Sequence, residues 1–221
     1  MTDFPQAVLF DMDGTLLDSE PLWDVALEDL AVLLGGTLEP EARARMIGTN
    51  DEASVIILLE SLGMPLDEVA KHREWLRARM SELFAEGAPW KPGARELLLE
   101  VRATGLPTAL VTSTPRQLTD LLLRHLGPEN FDLVVCGDEV EYRKPDPDPY
   151  LTTAEKLGVD ITRTVVLEDS FAGVTSALAA RAVTVAVPSE VPLPPGLEVL
   201  TVGSLDGVDL AYLRALEPKT P

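Results

Sequence analysis

Five short apolar runs, each stopped by polar residues, constrain this chain more than any other feature. AVLF (Ala7 to Phe10) stops at DMDGT, TALV (Thr108 to Val111) at TSTP, and LVV (Leu133 to Val135) at CGDE. TVVL (Thr164 to Leu167) stops at EDS, and AVTVAV (Ala182 to Val187) at Pro188. Runs this short and this apolar read as buried strands rather than helices. Helical patterns separate them over Ala94 to Ala103, Pro115 to Leu126, Asp148 to Leu157 and Ser170 to Ala180. Pro115 suits a helix start, where its missing N–H has no partner to lose. Alternating strand and helix patterns imply an α/β fold, a parallel sheet covered by helices on both faces.

One stretch breaks the alternation. From Leu16 to about Ala85 the chain reads as helix after helix: Pro21 to Leu34, Pro40 to Met46, Asp51 to Leu62 and Leu66 to Phe84. Gly35-Gly36, Gly48 and Gly63-Met64-Pro65 punctuate it. The expected division is a catalytic core of residues 1–15 and 86–221 with a helical cap of residues 16–85 inserted in it. The linkers are Leu16 to Ser19 and Gly87 to Pro92. The tail EPKTP reads as frayed.

The chain has 221 residues, 46% of them hydrophobic, enough for one core plus a modest insert. Its net charge of −19 repels nucleic acid and anionic membranes. No apolar run is long enough to span a bilayer, and MTDFPQ lacks the basic start and apolar stretch of a signal peptide. A cytoplasmic protein is expected. The single cysteine, Cys136, permits no internal disulfide and reads as a small buried hydrophobe. His72 and His125 have no metal-ligand spacing and read as surface residues. Arg43, Arg45, Arg73, Arg77 and Arg79 read as solvated helix faces.

The polar residues at the strand ends carry the chemistry. Ligands of open α/β sheets sit beyond the carboxyl ends of the strands. Asp11 and Asp13 follow the first run, Thr112 and Ser113 the second, Lys144 lies beyond the third, and Glu168 and Asp169 follow the fourth. Four carboxylates gathered in one crevice repel one another unless a cation balances them. All-oxygen ligands favour Mg²⁺ over Zn²⁺. Phosphoryl transfer uses all of these parts: a carboxylate nucleophile at Asp11, an acid/base at Asp13, and phosphate contacts from Thr112, the Ser113 amide and Lys144. Bland readings stand beside these. Asp and Gly are ordinary turn residues. Glu168-Asp169 and Thr112-Ser113 could cap helices, and Lys144 could be a solvated loop lysine.

FDMDGTLLDSE resembles the signature of the haloacid dehalogenase superfamily. LVTST, RKPDPDPY and VVLEDSFAG are similar to its other three motifs, in order. The resemblance implies a Rossmann-like core with an inserted helical cap, Asp11 as nucleophile and Asp13 as acid/base. It implies Mg²⁺ held by the side chains of Asp11 and Asp169 and the carbonyl of Asp13, with Glu168 similar to an additional ligand in some members. Members with dehalogenase activity lack the second aspartate, so Asp13 points to phosphate chemistry. DSEPLW resembles the start of the cap in sugar-phosphate phosphatases of the β-phosphoglucomutase-like branch. Phosphonate-cleaving relatives use a cap lysine; Lys71 is the only lysine in this cap. The mutases carry a cap histidine and a cap arginine where ungapped counting places Trp23 and Asp51. Arg181 stands where many relatives have glycine.

The function expected is hydrolysis of a small phosphate monoester, a sugar or polyol phosphate, by a monomer. The alternatives are a phosphomutase using the same aspartyl-phosphate and, in a different class, a phosphorylation-dependent receiver switch. Glu20, Trp23 and Asp51 are the loose candidates for recognising the alcohol half of the substrate.

Overall fold

The structure is a computed structural model that describes residues 4–188 and 191–219. Its sheet has six parallel strands: β1 (Ala7–Phe10), β2 (Thr108–Val111), β3 (Leu133–Val135), β4 (Thr164–Glu168), β5 (Val183–Ala186) and β6 (Leu200–Thr201). They lie in the order β3-β2-β1-β4-β5-β6. β1 is therefore flanked by β2 and β4, and Leu9 stands beside both Ala109 and Val166. The chain winds outward from β1 in both directions, which opens a crevice at its carboxyl end.

Every residue of β1 is fully buried, and successive residues serve opposite faces as strand geometry requires. Val8 and Phe10 join the apolar cluster of α5 (Ala94–Ala103), α6 (Arg116–Leu126) and α9 (Leu210–Arg214). Ala7 and Leu9 join the cluster of α7 (Asp148–Leu157) and α8 (Phe171–Ala179). A strand buried on both faces has no polar positions, which is why AVLF reads as a continuous run.

Between β1 and α5 lie α1 (Glu20–Leu33), α2 (Pro40–Met46), α3 (Asp51–Ser61) and α4 (Val69–Phe84). Pro21 and Pro40 occupy first turns. Asn50 caps α3, its side chain accepting from the amides of Glu52 and Ala53. α4 starts later than the pattern suggests because Leu66 to Glu68 are taken up by the turn after Pro65. The two connections to the sheet lie side by side: Asp18 N–H donates to the Pro89 carbonyl at 2.8 Å and Lys91 N–H to the Leu16 carbonyl at 2.8 Å. One apolar cluster runs from Val8 and Phe10 into Leu27, Leu58 and Phe84 of these helices.

Several expectations are corrected. The arginines of these helices are mostly clamps rather than solvated faces: Arg73 pairs with Glu52 at 2.5 Å, Arg79 with Asp29 at 2.8 Å, and Arg77 with Asp51. Arg45 alone of the five keeps an exposed side chain. His72 is buried, on the inner face of α4. The tail is tied as far as Lys219, whose N–H donates to the Thr162 carbonyl at 3.0 Å; Thr220 and Pro221 lie outside the described residues. β6 and α9 have no counterpart in the sequence reading. β6 is two exposed residues, and α9 is a five-residue helix capped by Asp209, too short to show a period.

Candidate active site

The site begins one residue past β1. Asp11 N–H donates to the Leu167 carbonyl at 3.0 Å, so the sheet register extends to the first aspartate. Met12 turns into the core, which leaves Asp13 free to face the crevice. Gly14 then takes φ +80°, and a Cβ there would lie 2.0 Å from Asp169 Oδ2. Only glycine fits that turn.

Lys144 comes from the loop after β3 and reaches under the end of the sheet. Its Nζ donates to Asp11 Oδ1 at 2.8 Å, to Glu168 Oε1 at 2.6 Å and to the Val111 carbonyl at 2.7 Å. Its side chain is only 3% exposed, so the solvated-lysine reading falls. Tyr150 on α7 donates its hydroxyl to the same Glu168 oxygen at 2.6 Å, and its ring centroid lies 5.1 Å from the ammonium. Glu168 is completely buried. The absence of a side chain at Gly173 makes room for it, since a Cβ there would fall within 2.0 Å of its carboxylate oxygens.

Asp11, Glu168 and Asp169 offer carboxylate oxygens within 4.8 Å of one another. Against these three acids stands one ammonium, Lys144. Burial, then repulsion from Glu168, pushes the Asp11 carboxyl up to about 8. Burial, then Asp11 and Glu168, raises Asp169 well above the carboxylate range. Burial opposes the charge on Lys144, but Asp11 and Glu168 outweigh it and hold the ammonium protonated. No hydrogen bond to the Asp169 carboxylate forms among the described residues. An all-oxygen cluster of three carboxylates and one ammonium, with two negative charges in excess once all are ionised, fits a hard divalent cation such as Mg²⁺.

Asp13 is held apart from that cluster. Ser19 donates to its Oδ1 at 2.5 Å, Thr114 to its Oδ2 at 2.7 Å, and Thr112 to the same oxygen at 3.3 Å. The Thr112 hydroxyl also accepts from the Thr114 amide at 3.0 Å. Ser113 lines the crevice without capping a helix: α6 starts from Pro115 with no side-chain cap, and α8 is capped by Ser170. The cap readings of Thr112-Ser113 and Glu168-Asp169 therefore do not describe this structure.

The structure thus brings Asp11, Lys144, Glu168 and Asp169 into one cluster, with Asp13, Thr112 and Ser113 beside it. Ser19, Thr114 and Tyr150 escaped the sequence reading. Each sits inside one of the four motifs, but a serine, a threonine and a tyrosine in such places look the same whether or not they reach another motif. On the far side of the crevice, Glu20, Trp23 and Asp51 line the wall, joined by Arg43 and Asn50. Trp23 also packs edge-on against Phe84, with centroids 6.0 Å apart. Lys71 is exposed and paired with Glu68.

The haloacid dehalogenase-like hydrolase family matches this chain over residues 8–187. A phosphorylated carbohydrates phosphatase of Thermotoga maritima is 36% identical over 176 residues, 79% of this chain and 81% of that protein. Hexitol phosphatase B of Escherichia coli is 33% identical over 187 residues, 83% of each chain. Among solved structures, CbbY from Rhodobacter sphaeroides in complex with xylulose-1,5-bisphosphate superposes with a TM-score of 0.83 at 27% identity, covering 94% of this chain and 98% of that one. The family match runs from the second residue of β1 to just past β5, and with phosphatase relatives above 30% identity it shows that the chain belongs to the haloacid dehalogenase-like hydrolases, as a phosphatase.

Proposed function

We propose that this phosphatase hydrolyses a small phosphate monoester of a sugar or polyol, with Asp11 as the nucleophile. The observation that carries this reading is the Lys144 ammonium, buried between Asp11 and Glu168 with Asp169 alongside. Such a cluster holds one carboxylate in a fixed position where an anionic phosphate can be received. The names of the phosphatase relatives support the sugar or polyol class.

Asp11 attacks phosphorus and the bond to the substrate oxygen breaks, leaving an aspartyl-phosphate. Asp13 gives the departing oxygen its proton, then takes one from the water that cleaves the intermediate, releasing inorganic phosphate and restoring Asp11. Ser19 and Thr114 orient Asp13 for both transfers. Thr112, the Ser113 amide and Lys144 hold phosphate oxygens. Asp11, Asp169 and the Asp13 carbonyl would hold Mg²⁺, with Glu168 joining them or anchoring Lys144. The ion, when bound, neutralises the approach of anionic phosphate to an anionic nucleophile.

In the same proposal residues 16–85 act as a cap on a core of residues 1–15 and 86–221, closing over the crevice. The paired linkers at Asp18 and Lys91 support a hinge there. Hydrolysis is favoured over phosphomutase chemistry because Trp23 stands where the mutases carry a cap histidine and Asp51 where they carry the arginine that grips the second phosphate, and Asp51 is already paired with Arg77. A monomer in the cytoplasm is part of this reading; no helix among the described residues is long and apolar enough to cross a membrane. Elution at a monomer's volume on size-exclusion chromatography is expected.

The test is a panel of metabolite phosphates with Mg²⁺. At least one sugar or polyol phosphate is expected to release inorganic phosphate, and both EDTA and Asp11→Asn are expected to abolish release. Turnover that survives either treatment sinks the mechanism.

A further inference from the structure

The crevice wall opposite the catalytic cluster has an unusual charge arrangement. Its one arginine, Arg43 of α2, is largely buried, with 13% of the side chain exposed. Glu20 and Asp24, one turn apart on α1, both accept from it: Nη2 bonds Glu20 Oε2 at 2.5 Å, and Nε bonds Asp24. The other charged residues lining the crevice are Asp13, Asp51 and Asp169. Asp51 accepts from Arg77, which lies outside the lining. Asn50, Thr49 and Ser54 add an amide and two hydroxyls, and Trp23 an aromatic surface.

We infer that Glu20 and Asp24 mask Arg43, so that the crevice accepts a leaving alcohol bearing hydroxyls and rejects one bearing a second anionic group. This rests on the phosphatase reaction proposed above and narrows its substrate class. The reacting phosphate is met by Lys144, Thr112 and the Ser113 amide, beside the acidic cluster that would hold the metal. A second phosphate or a carboxylate at the far end of the substrate meets Glu20 and Asp51, and finds the one guanidinium on that wall already shared by two acids. Like-charge juxtaposition of this kind suppresses the wrong partner. Sugar hydroxyls, by contrast, can donate to carboxylate lone pairs left over from the ion pairs, and the aromatic face of Trp23 can cover their C–H edges.

The experiment compares kcat/KM for sorbitol 6-phosphate and 6-phosphogluconate, which share a six-carbon chain and differ by a terminal carboxylate. p-Nitrophenyl phosphate reports the core reaction. The wild type is expected to prefer sorbitol 6-phosphate by at least about tenfold. The double variant Glu20→Gln, Asp24→Asn exposes Arg43 and is expected to shrink that ratio about tenfold. If that variant does not fold, Arg43→Met decides: it is expected to keep the wild-type ratio or raise it. A wild-type ratio near one, an unchanged ratio in the double variant, or a ratio falling toward one in Arg43→Met overturns the inference alone. No hydrolysis of p-nitrophenyl phosphate by the wild type overturns the underlying reaction instead.

Discussion

The two walls of the crevice handle charge in opposite ways. On the sheet side, Asp11, Glu168 and Asp169 share one cation, Lys144, and burial makes their excess charge costly. On the helical side, acids are answered from another helix: Glu20 and Asp24 by Arg43, Asp51 by Arg77, Glu52 by Arg73. A wall nearly balanced by its own ion pairs, four acids against three arginines, gains fixed shape and helix–helix registry. A wall left out of balance is one that an external cation and a phosphate can complete. Charge imbalance under burial, rather than the mere presence of acidic residues, separates the sheet-side cluster from the clamps.

The sharpest way to break this comparison is to remove the single cation of the sheet side. Lys144→Met leaves Asp11 and Glu168 buried without their ammonium. Stability is expected to fall by about 3–5 kcal/mol, as for other buried pairs losing one partner, and kcat by at least about a hundredfold. Urea melts and steady-state assays check both; a variant as stable as the wild type would show that the acids need no counter-charge. On the helical side, Arg77→Met leaves Asp51, whose side chain is 1% exposed, without its partner. A smaller loss of about 2–3 kcal/mol is expected, because Arg77 itself is 26% exposed and water can repair part of the deficit. If Arg77→Met costs more than Lys144→Met, the contrast between the walls is wrong.

pH sharpens the comparison further. The Asp11 carboxyl is raised to about 8 in the metal-free fold, whereas the unfolded chain releases that proton near pH 4. Between these values the folded protein binds a proton that the unfolded one lacks, so this group's contribution to stability is full at low pH and declines as pH rises toward 8. The slope is at most about 1.4 kcal/mol per pH unit for one such group. A Mg²⁺ ion held by this cluster would displace the proton, so its binding would become more favourable in the same direction. The rise in Tm on adding Mg²⁺ should therefore be larger at pH 8 than at pH 5, and Asp11→Asn should flatten the difference. Equal shifts at both pH values would count against a proton-linked metal site.

The smallest effect lies away from both walls and serves as a baseline. α8 ends in a pair of closing bonds, Arg181 N–H to the Leu178 carbonyl and Ala182 N–H to the Ala177 carbonyl, with Arg181 at φ +67°. That left-handed position favours glycine. Arg181→Gly is expected to raise stability by about 0.5–1 kcal/mol, read as a rise in Tm without change in the Mg²⁺-dependent shift. A lowered Tm would show that the arginine side chain contributes more than its backbone geometry costs.

The strand-end residues were legible because a parallel sheet converts sequence position into spatial position. Each apolar run ends at the same edge, so Asp11 and Glu168-Asp169 meet without knowledge of any side-chain contact. Strand boundaries differ from the reading by a residue at most: β4 takes in Glu168, and β5 begins at Val183. The helical wall offered no such rule. Arg43 and Arg77 look like ordinary exposed arginines until α1, α2, α3 and α4 are packed together, and only that packing decides which acid each one meets. His72 was misplaced for the same reason, since its neighbours on α4 are charged while its own face is buried. Tyr150 ends the RKPDPDPY motif, yet its bond to Glu168 depends on how α7 lies against β4.

By itself the sequence determined the α/β architecture, the helical insertion after β1 and the convergence of the motif residues, because apolar periodicity and strand ends are local properties of the chain. Tertiary structure decided which charges are balanced. Ion pairing depends on distances between residues far apart in sequence, such as Lys144 and Asp11 or Arg77 and Asp51. Burial then sets how much each unbalanced charge costs, and neither quantity is written in any local stretch of residues.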